Sequence, residues 1–189
     1  MGQRVRAIRW ALGFVAAIGW VGLVRGEDTK KLQHVAVPAA AARTEDIGTI
    51  DGMIKAFYEV ITGPPGRSRE WSRDRTLYMP DVRFVATSVD EAGKPVIQIA
   101  SHQQYVDAED AKMVREGFDE HEIHRVTQRF GNIAHVFSTY ETRRTAGGPV
   151  IGRGINSIEL SWDGKRWWIA SAIWDDERRD NPIPKEYLP

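Results

Sequence analysis

Apolar residues recur at three- and four-residue intervals from Glu45 onward. Ile47, Ile50, Ile54, Phe57, Tyr58 and Ile61 fall on one face of a helix. Thr44 is placed to cap its start, and Gly63-Pro64-Pro65-Gly66 ends it. Ser68 is placed to cap a second, shorter helix carrying Trp71 and Leu77, which Met79-Pro80-Asp81 breaks. The spacing then changes. Val82 to Ser88 reads as a strand, Glu91-Ala92-Gly93-Lys94 as a turn, and Val96 to Ala100 as its partner. Ser101 caps a third helix running to about Glu116, and Gly117 ends it. Beyond it the chain reads as strand: Phe118 to Phe130, a turn at Gly131-Asn132, Ile133 to Arg144, then a loop through Gly147 and Gly148. Arg153 to Trp162 and Arg166 to Trp174 close the pattern, joined at Asp163-Gly164-Lys165, a strong hairpin signal.

Helix, helix, hairpin, helix and a long antiparallel meander amount to an α+β fold, with the helices gathered over one sheet. Gly154 inside a strand indicates a bulge or bend, as a strongly curved sheet requires. Helices packed in the concavity of such a sheet leave a blind apolar pocket. Alternation puts Trp168 and Trp174 on one face and Trp167 on the other, so one side lines the pocket and the opposite side meets a helix or a second subunit.

The N-terminus has a different pattern. Arg4, Arg6 and Arg9 precede an apolar or glycine run from Trp10 to Val24. That is the form of a signal peptide and is shorter than the roughly 20 residues of a membrane span. Residues 1–26 are therefore expected to be a signal segment, cleaved near Glu27, with an uncleaved N-terminal anchor as the alternative. Either places the domain in the periplasm or outside the cell. The expected division continues with a tether over 27–44, the folded domain over 45–178 and an extended tail over 179–189. Charge is balanced at 26 basic and 26 acidic residues. Without residues 1–26, which hold four arginines and no acid, 22 basic face 26 acidic residues. A mildly acidic domain lacks the electrostatic footprint of a nucleic-acid binder. Beyond the N-terminal segment no membrane contact is implied. With no cysteine there is no thiol nucleophile and no disulfide framework, and the core alone must hold the fold.

The order of elements, with Ala56-Phe57-Tyr58, Phe130-Gly131-Asn132-Ile133-Ala134-His135-Val136 and Asp163-Gly164-Lys165-Arg166-Trp167-Trp168-Ile169, resembles the nuclear transport factor 2-like superfamily, with its polyketide-cyclase-like and ketosteroid-isomerase-like branches. The resemblance covers about Asp46 to Asp176. Arg153-Gly154-Ile155-Asn156-Ser157 and Trp174-Asp175-Asp176-Glu177 resemble a bacterial subgroup of it. It implies a cone-shaped domain: a curved antiparallel sheet with about three helices in its concavity, a pocket at the wide end, and dimerisation through the sheet. Such folds serve catalysts, binders and docking modules, so membership implies shape more than function.

Glu120-His121-Glu122-Ile123-His124-Arg125 is the densest polar cluster. Alternation along a strand puts Glu120, Glu122 and His124 on one face. Two carboxylates beside a histidine suit a general base, Glu122, tuned by His124. They also suit a divalent metal, though a lone strand triad is a weak metal signal, or a solvated face with ion pairs to Arg143, Arg144 or Arg153. No metal or other cofactor is assigned. Tyr140 is a candidate hydrogen-bond donor to a substrate carbonyl, or a packed core tyrosine. His135 can shuttle a proton or bond to a neighbouring strand. Asn156, among apolar neighbours, orients a ligand oxygen or bonds across the sheet. Arg153 is a candidate contact, or an ion pair with Asp175 or Glu177. Tyr58 and Trp71 are placed to close the pocket from the helices, and Trp168 and Trp174 to line it.

Two functions follow. One is an exported binder of a small apolar or amphipathic molecule, or a cofactor-independent enzyme of proton transfer or water addition, acting as a homodimer. The other is a non-catalytic interaction module. An open cavity holding a carboxylate or histidine favours the first; a cone plugged by Trp162, Trp168 and Trp174 favours the second.

Overall fold

The computed structural model describes residues 32–189; the expected signal segment lies outside them. Helices α1 (Thr44–Ile47), α2 (Ile50–Glu59) and α3 (Trp71–Arg75) precede strands β1 (Tyr78–Val89) and β2 (Pro95–Ala100). Helix α4 (His102–Glu116) leads to β3 (Asp119–Phe130), β4 (Ile133–Arg143), β5 (Gly152–Trp162) and β6 (Trp167–Asp176). The six strands form one sheet in the order β2-β1-β6-β5-β4-β3. Neighbours are antiparallel except β1 and β6. Helix α4 carries the chain from one sheet edge to the other, and four antiparallel strands then return, so β6 arrives parallel to β1.

The first helix is divided at Gly48, and Thr49 rather than Thr44 caps the longer part, its hydroxyl accepting from Gly52 N–H at 2.9 Å. Ser68 does not cap α3, which begins after Glu70 without a side-chain cap. Ser101 caps α4 as the pattern predicts, in a reciprocal capping box with Gln104. The final hairpin is held at its turn. Asp163 Oδ1 accepts from the Lys165 and Arg166 N–H groups at 2.8 and 2.9 Å, and Oδ2 from the Trp168 indole at 2.7 Å.

Three irregularities bend the sheet. In β3, Glu122 pairs with Tyr140 but His124 pairs with Thr139, so Ile123 is an extra residue. In β6, Ile169 pairs with Leu160 and Ser171 with Glu159, so Ala170 is extra. In β1 the interruption lies between Tyr78 and Arg83, across Met79-Pro80-Asp81. A single inserted residue reverses which side chains face inward beyond it. The inner face buries Ala134, Val136, Ile158, Leu160, Trp167, Ile169 and Ala172 against Met53, Ile54 and Phe57 of α2. Residues 32–43 form neither helix nor strand and touch α4 at Val35, whose N–H donates to Asp107 Oδ1 at 2.8 Å. The C-terminal tail crosses the outer face, where the Tyr187 carbonyl accepts from Thr139 at 2.7 Å.

Candidate active site

A cavity of about 1020 Å³ opens at one end of the cone. The ends of β1, β4, β5 and β6, the C-terminal half of α4 and the loop through Val150 and Ile151 surround it. Polar side chains of the sheet form part of its lining. Thr142 and Asp176 line it. Thr142 Oγ1 donates to Glu120 Oε2 at 2.9 Å, and Tyr140 Oη donates to Asp176 Oδ1 at 2.6 Å. Glu120 is buried beneath the floor, its backbone clamped by Thr62 Oγ1 at 3.0 and 3.1 Å.

These two carboxyls titrate high. Burial pushes Glu120 up to about 8; Thr142 opposes the shift and the charge of Asp176 adds to it. Asp176 lies above the ordinary carboxylate range, again through burial, with the Tyr140 hydrogen bond pulling the other way. Burial also raises the Tyr140 phenol, and the neighbouring Asp176 and Glu120 charges raise it further. Like charges so placed do not both form readily. Burial disfavours charge on both carboxyls, and the Tyr140 hydrogen bond favours it on Asp176.

A second polar chain lies deeper on the same face. Asn156 Nδ2 donates to Tyr58 Oη at 3.1 Å, Tyr58 meets Ser138 Oγ at 2.7 Å, and Ser138 donates to Glu122 Oε1 at 2.5 Å. Because Asn156 and Ser138 donate in these directions, Tyr58 donates to Ser138. Arg125 terminates the chain with a forked contact to Glu122 at 2.8 and 2.5 Å, and also reaches Asp51 at 2.6 Å.

The sequence-derived residues are thus dispersed. Tyr140 does not line the cavity; it is buried behind Asp176, to which it donates. Arg153 lines the cavity and is paired with Glu177 at 2.8 Å. Tyr58, Asn156 and Glu122 belong to the buried chain. His124 is on the opposite face from Glu122, because the Ile123 bulge reverses the alternation that would have joined them. His135 is on the outer face, 2.9 Å from Ser157 Oγ. Trp71 donates its indole N–H to Asp110 at 2.6 Å and meets Tyr105 edge-on. Trp168 is on the outer face under the Arg166 guanidinium, 3.6 Å from its ring centroid; the Ala170 bulge separates it from Trp174. Trp174 packs inside against Phe84 and Tyr105, around a void of only about 10 Å³. Trp162 packs on Trp167. None of these tryptophans lines the large cavity.

Sequence reasoning missed Asp176 and Thr142 and left Glu120 without a distinct role. The alternation from Trp174 to Asp176 was a usable signal, but only the Ala170 bulge establishes that both face inward. Among the described residues, no group of three or more His, Cys, Asp or Glu is arranged to hold a metal, and no helix is long and apolar enough to cross a membrane.

A protein from Nostoc punctiforme with a cystatin-like fold superposes with a TM-score of 0.52 at 10% identity, over 69% of this chain and 90% of that one. A nuclear transport factor 2-like protein from Silicibacter pomeroyi superposes with a TM-score of 0.50 at 13% identity, over 69% and 94%. The fold is that of the nuclear transport factor 2-like superfamily. A protein from Mycobacterium tuberculosis also matches this cone, at a TM-score of 0.50 and 16% identity over 72% of this chain and 75% of that one. At these identities the likeness is one of fold. No family model matches the sequence, and neither does any curated protein. The expected shape, a nuclear transport factor 2-like cone with helices over a curved sheet, is the one observed.

Proposed function

We propose that the cavity binds a small molecule and that Asp176 transfers a proton on it without a cofactor. The carrying observation is the open cavity lined by Asp176 and Thr142, which are hydrogen-bonded to the buried Tyr140 and Glu120 behind them. A carboxylate held partly out of water is a stronger base than an exposed one, and suits a proton beside a carbonyl or on an attacking water. Glu120 remains neutral nearby and adds no opposing charge to a developing enolate. Such a floor, under a mouth of mixed apolar and polar character, is the usual design of a small-molecule site.

The test is deuterium uptake from D2O into a panel of enolisable carbonyl compounds, chosen after native mass spectrometry of the purified protein for retained molecules. Asp176→Asn is expected to lower exchange at least a hundredfold in a folded protein. Equal exchange by the variant would remove Asp176 from the mechanism.

We also propose export, supported by the Arg-rich start and the apolar run Trp10 to Val24. Fractionation with N-terminal sequencing tests it; intact protein confined to the cytoplasm would refute it.

A second copy is proposed on the outer face, in place of an unrelated partner. There Ile99, Val85 and Ile173 are directly opposite one another across three strands, with Ile99 62% and Ile173 40% exposed. Ile99→Lys is expected to shift a dimer to monomer in sedimentation; a monomeric parent protein would refute this contact.

A further inference from the structure

The cations around the cavity differ in whether they are already neutralised. Arg144 is paired with Glu116, Arg153 with Glu177 and Arg178 with Asp175. Lys112 and Arg179 also line the cavity, and among the described residues neither has a carboxylate within 4.0 Å. Lys112 is half-buried on α4, beside Met113, and Arg179 is exposed, so both cations line a cavity that is open to solvent. Glu116 and Glu177 are neutralised by their arginines, and Glu109 is buried in the wall and partnered. Asp176, at the floor, is held by the Tyr140 hydroxyl.

The apolar part of the lining is equally uneven. Val150 and Ile151 are 43% and 37% exposed on the loop at the mouth, and Met113 and Phe118 continue the apolar wall inward. Exposed aliphatic side chains beside unpaired cations make a surface for a molecule with one anionic end and a hydrocarbon body.

We infer that the cavity takes an amphipathic carboxylate, its anionic end at Lys112 and Arg179 and its apolar body along Met113, Phe118, Val150 and Ile151. This rests on the ligand-site reading above and narrows it to a substrate class. A neutral alcohol of the same length keeps the apolar contacts and leaves both cations uncompensated. A cationic amphiphile meets them with repulsion. The contact is electrostatic, so affinity for the carboxylate falls as salt rises.

The probes are decanoate, decanol and decyltrimethylammonium, titrated into the full protein while the Met113 methyl signal is followed by NMR. Decanoate is expected to shift that signal and to bind at least tenfold more tightly than decanol, with decyltrimethylammonium weakest. The double variant Lys112→Gln/Arg179→Gln is expected to lose about tenfold for decanoate and to keep its affinity for decanol, a control that the cavity is still formed. If decanoate and decanol bind equally at Met113, the carboxylate inference is overturned and the ligand site stands. If neither moves the Met113 signal, both fall.

Discussion

Gly154 lies against the ring of Tyr140: a Cβ at this position would stand 2.3 Å from the phenol oxygen and 2.6 Å from the Asp175 carbonyl. The strand glycine that suggested a bend is where the sheet makes room for the phenol that holds Asp176. Gly154→Ala must therefore displace either the ring or β6. Overpacking of a buried site costs about 1–3 kcal/mol. A loss in that range is expected in urea unfolding, together with loss of carbonyl exchange; an unchanged midpoint would show that the ring is not confined.

Tyr140→Phe removes the hydrogen bond that pulls the Asp176 titration downward. The carboxyl is then expected to titrate higher than in the parent protein, by carbon-13 NMR of the side chain. The acidic limb of the exchange rate should move to higher pH with it. A shift to lower pH would mean that the phenol does not stabilise the charged form.

Glu120 makes stability depend on pH in a definite direction. Its folded-state value, about 8, exceeds the ordinary 4.5. The contribution is whole below 4.5 and is lost as pH rises through about 8, because the unfolded chain releases this proton first. The slope from this group is at most roughly 1.4 kcal/mol per pH unit. Asp176, also raised, acts in the same direction. Glu120→Gln keeps a neutral acceptor for Thr142 and is expected to flatten the fall in melting temperature between pH 5 and pH 9. It should also extend carbonyl exchange into the alkaline range. An unchanged pH profile of stability would contradict the assigned titration.

Glu122 ends a buried chain of hydrogen bonds and is not among the residues lining the cavity. Replacing it by Gln leaves the exposed Asp51 as the charged partner of the Arg125 guanidinium and disturbs the acceptor of Ser138. A stability loss of about 1–3 kcal/mol is expected, with carbonyl exchange within about threefold of the parent. A hundredfold fall in exchange with stability intact would move the base from Asp176 to Glu122.

Ser101 tests a purely local device. Its hydroxyl accepts from Gln104 N–H, and the Gln104 side chain returns to Ser101 N–H at 2.9 Å. Ser101→Ala is expected to cost about 1 kcal/mol and to leave ligand binding intact, as read by thermal unfolding with and without decanoate. A cost near zero would mean that α4 is held by packing alone.

Local chemistry accounts for what could be read in advance. Alternation, the Asp163-Gly164 turn, the Ser101 cap and the Gly117 stop are short-range signals, and with the order of elements they were enough to specify an α+β fold of helices over a bent sheet; the cone shape was what the family resemblance implied. Facing was another matter. Strand alternation assigns a side chain to a face only while each residue has one partner, and Ile123 and Ala170 each break that condition by one residue. His124 and Trp168 were therefore turned outward, and Asp176 inward. Which carboxylate meets which phenol, and which lysine lacks a counter-ion, depends on strand register across the sheet and on where α4 crosses it. Those are contacts between residues far apart in the chain, and only the folded structure selects them.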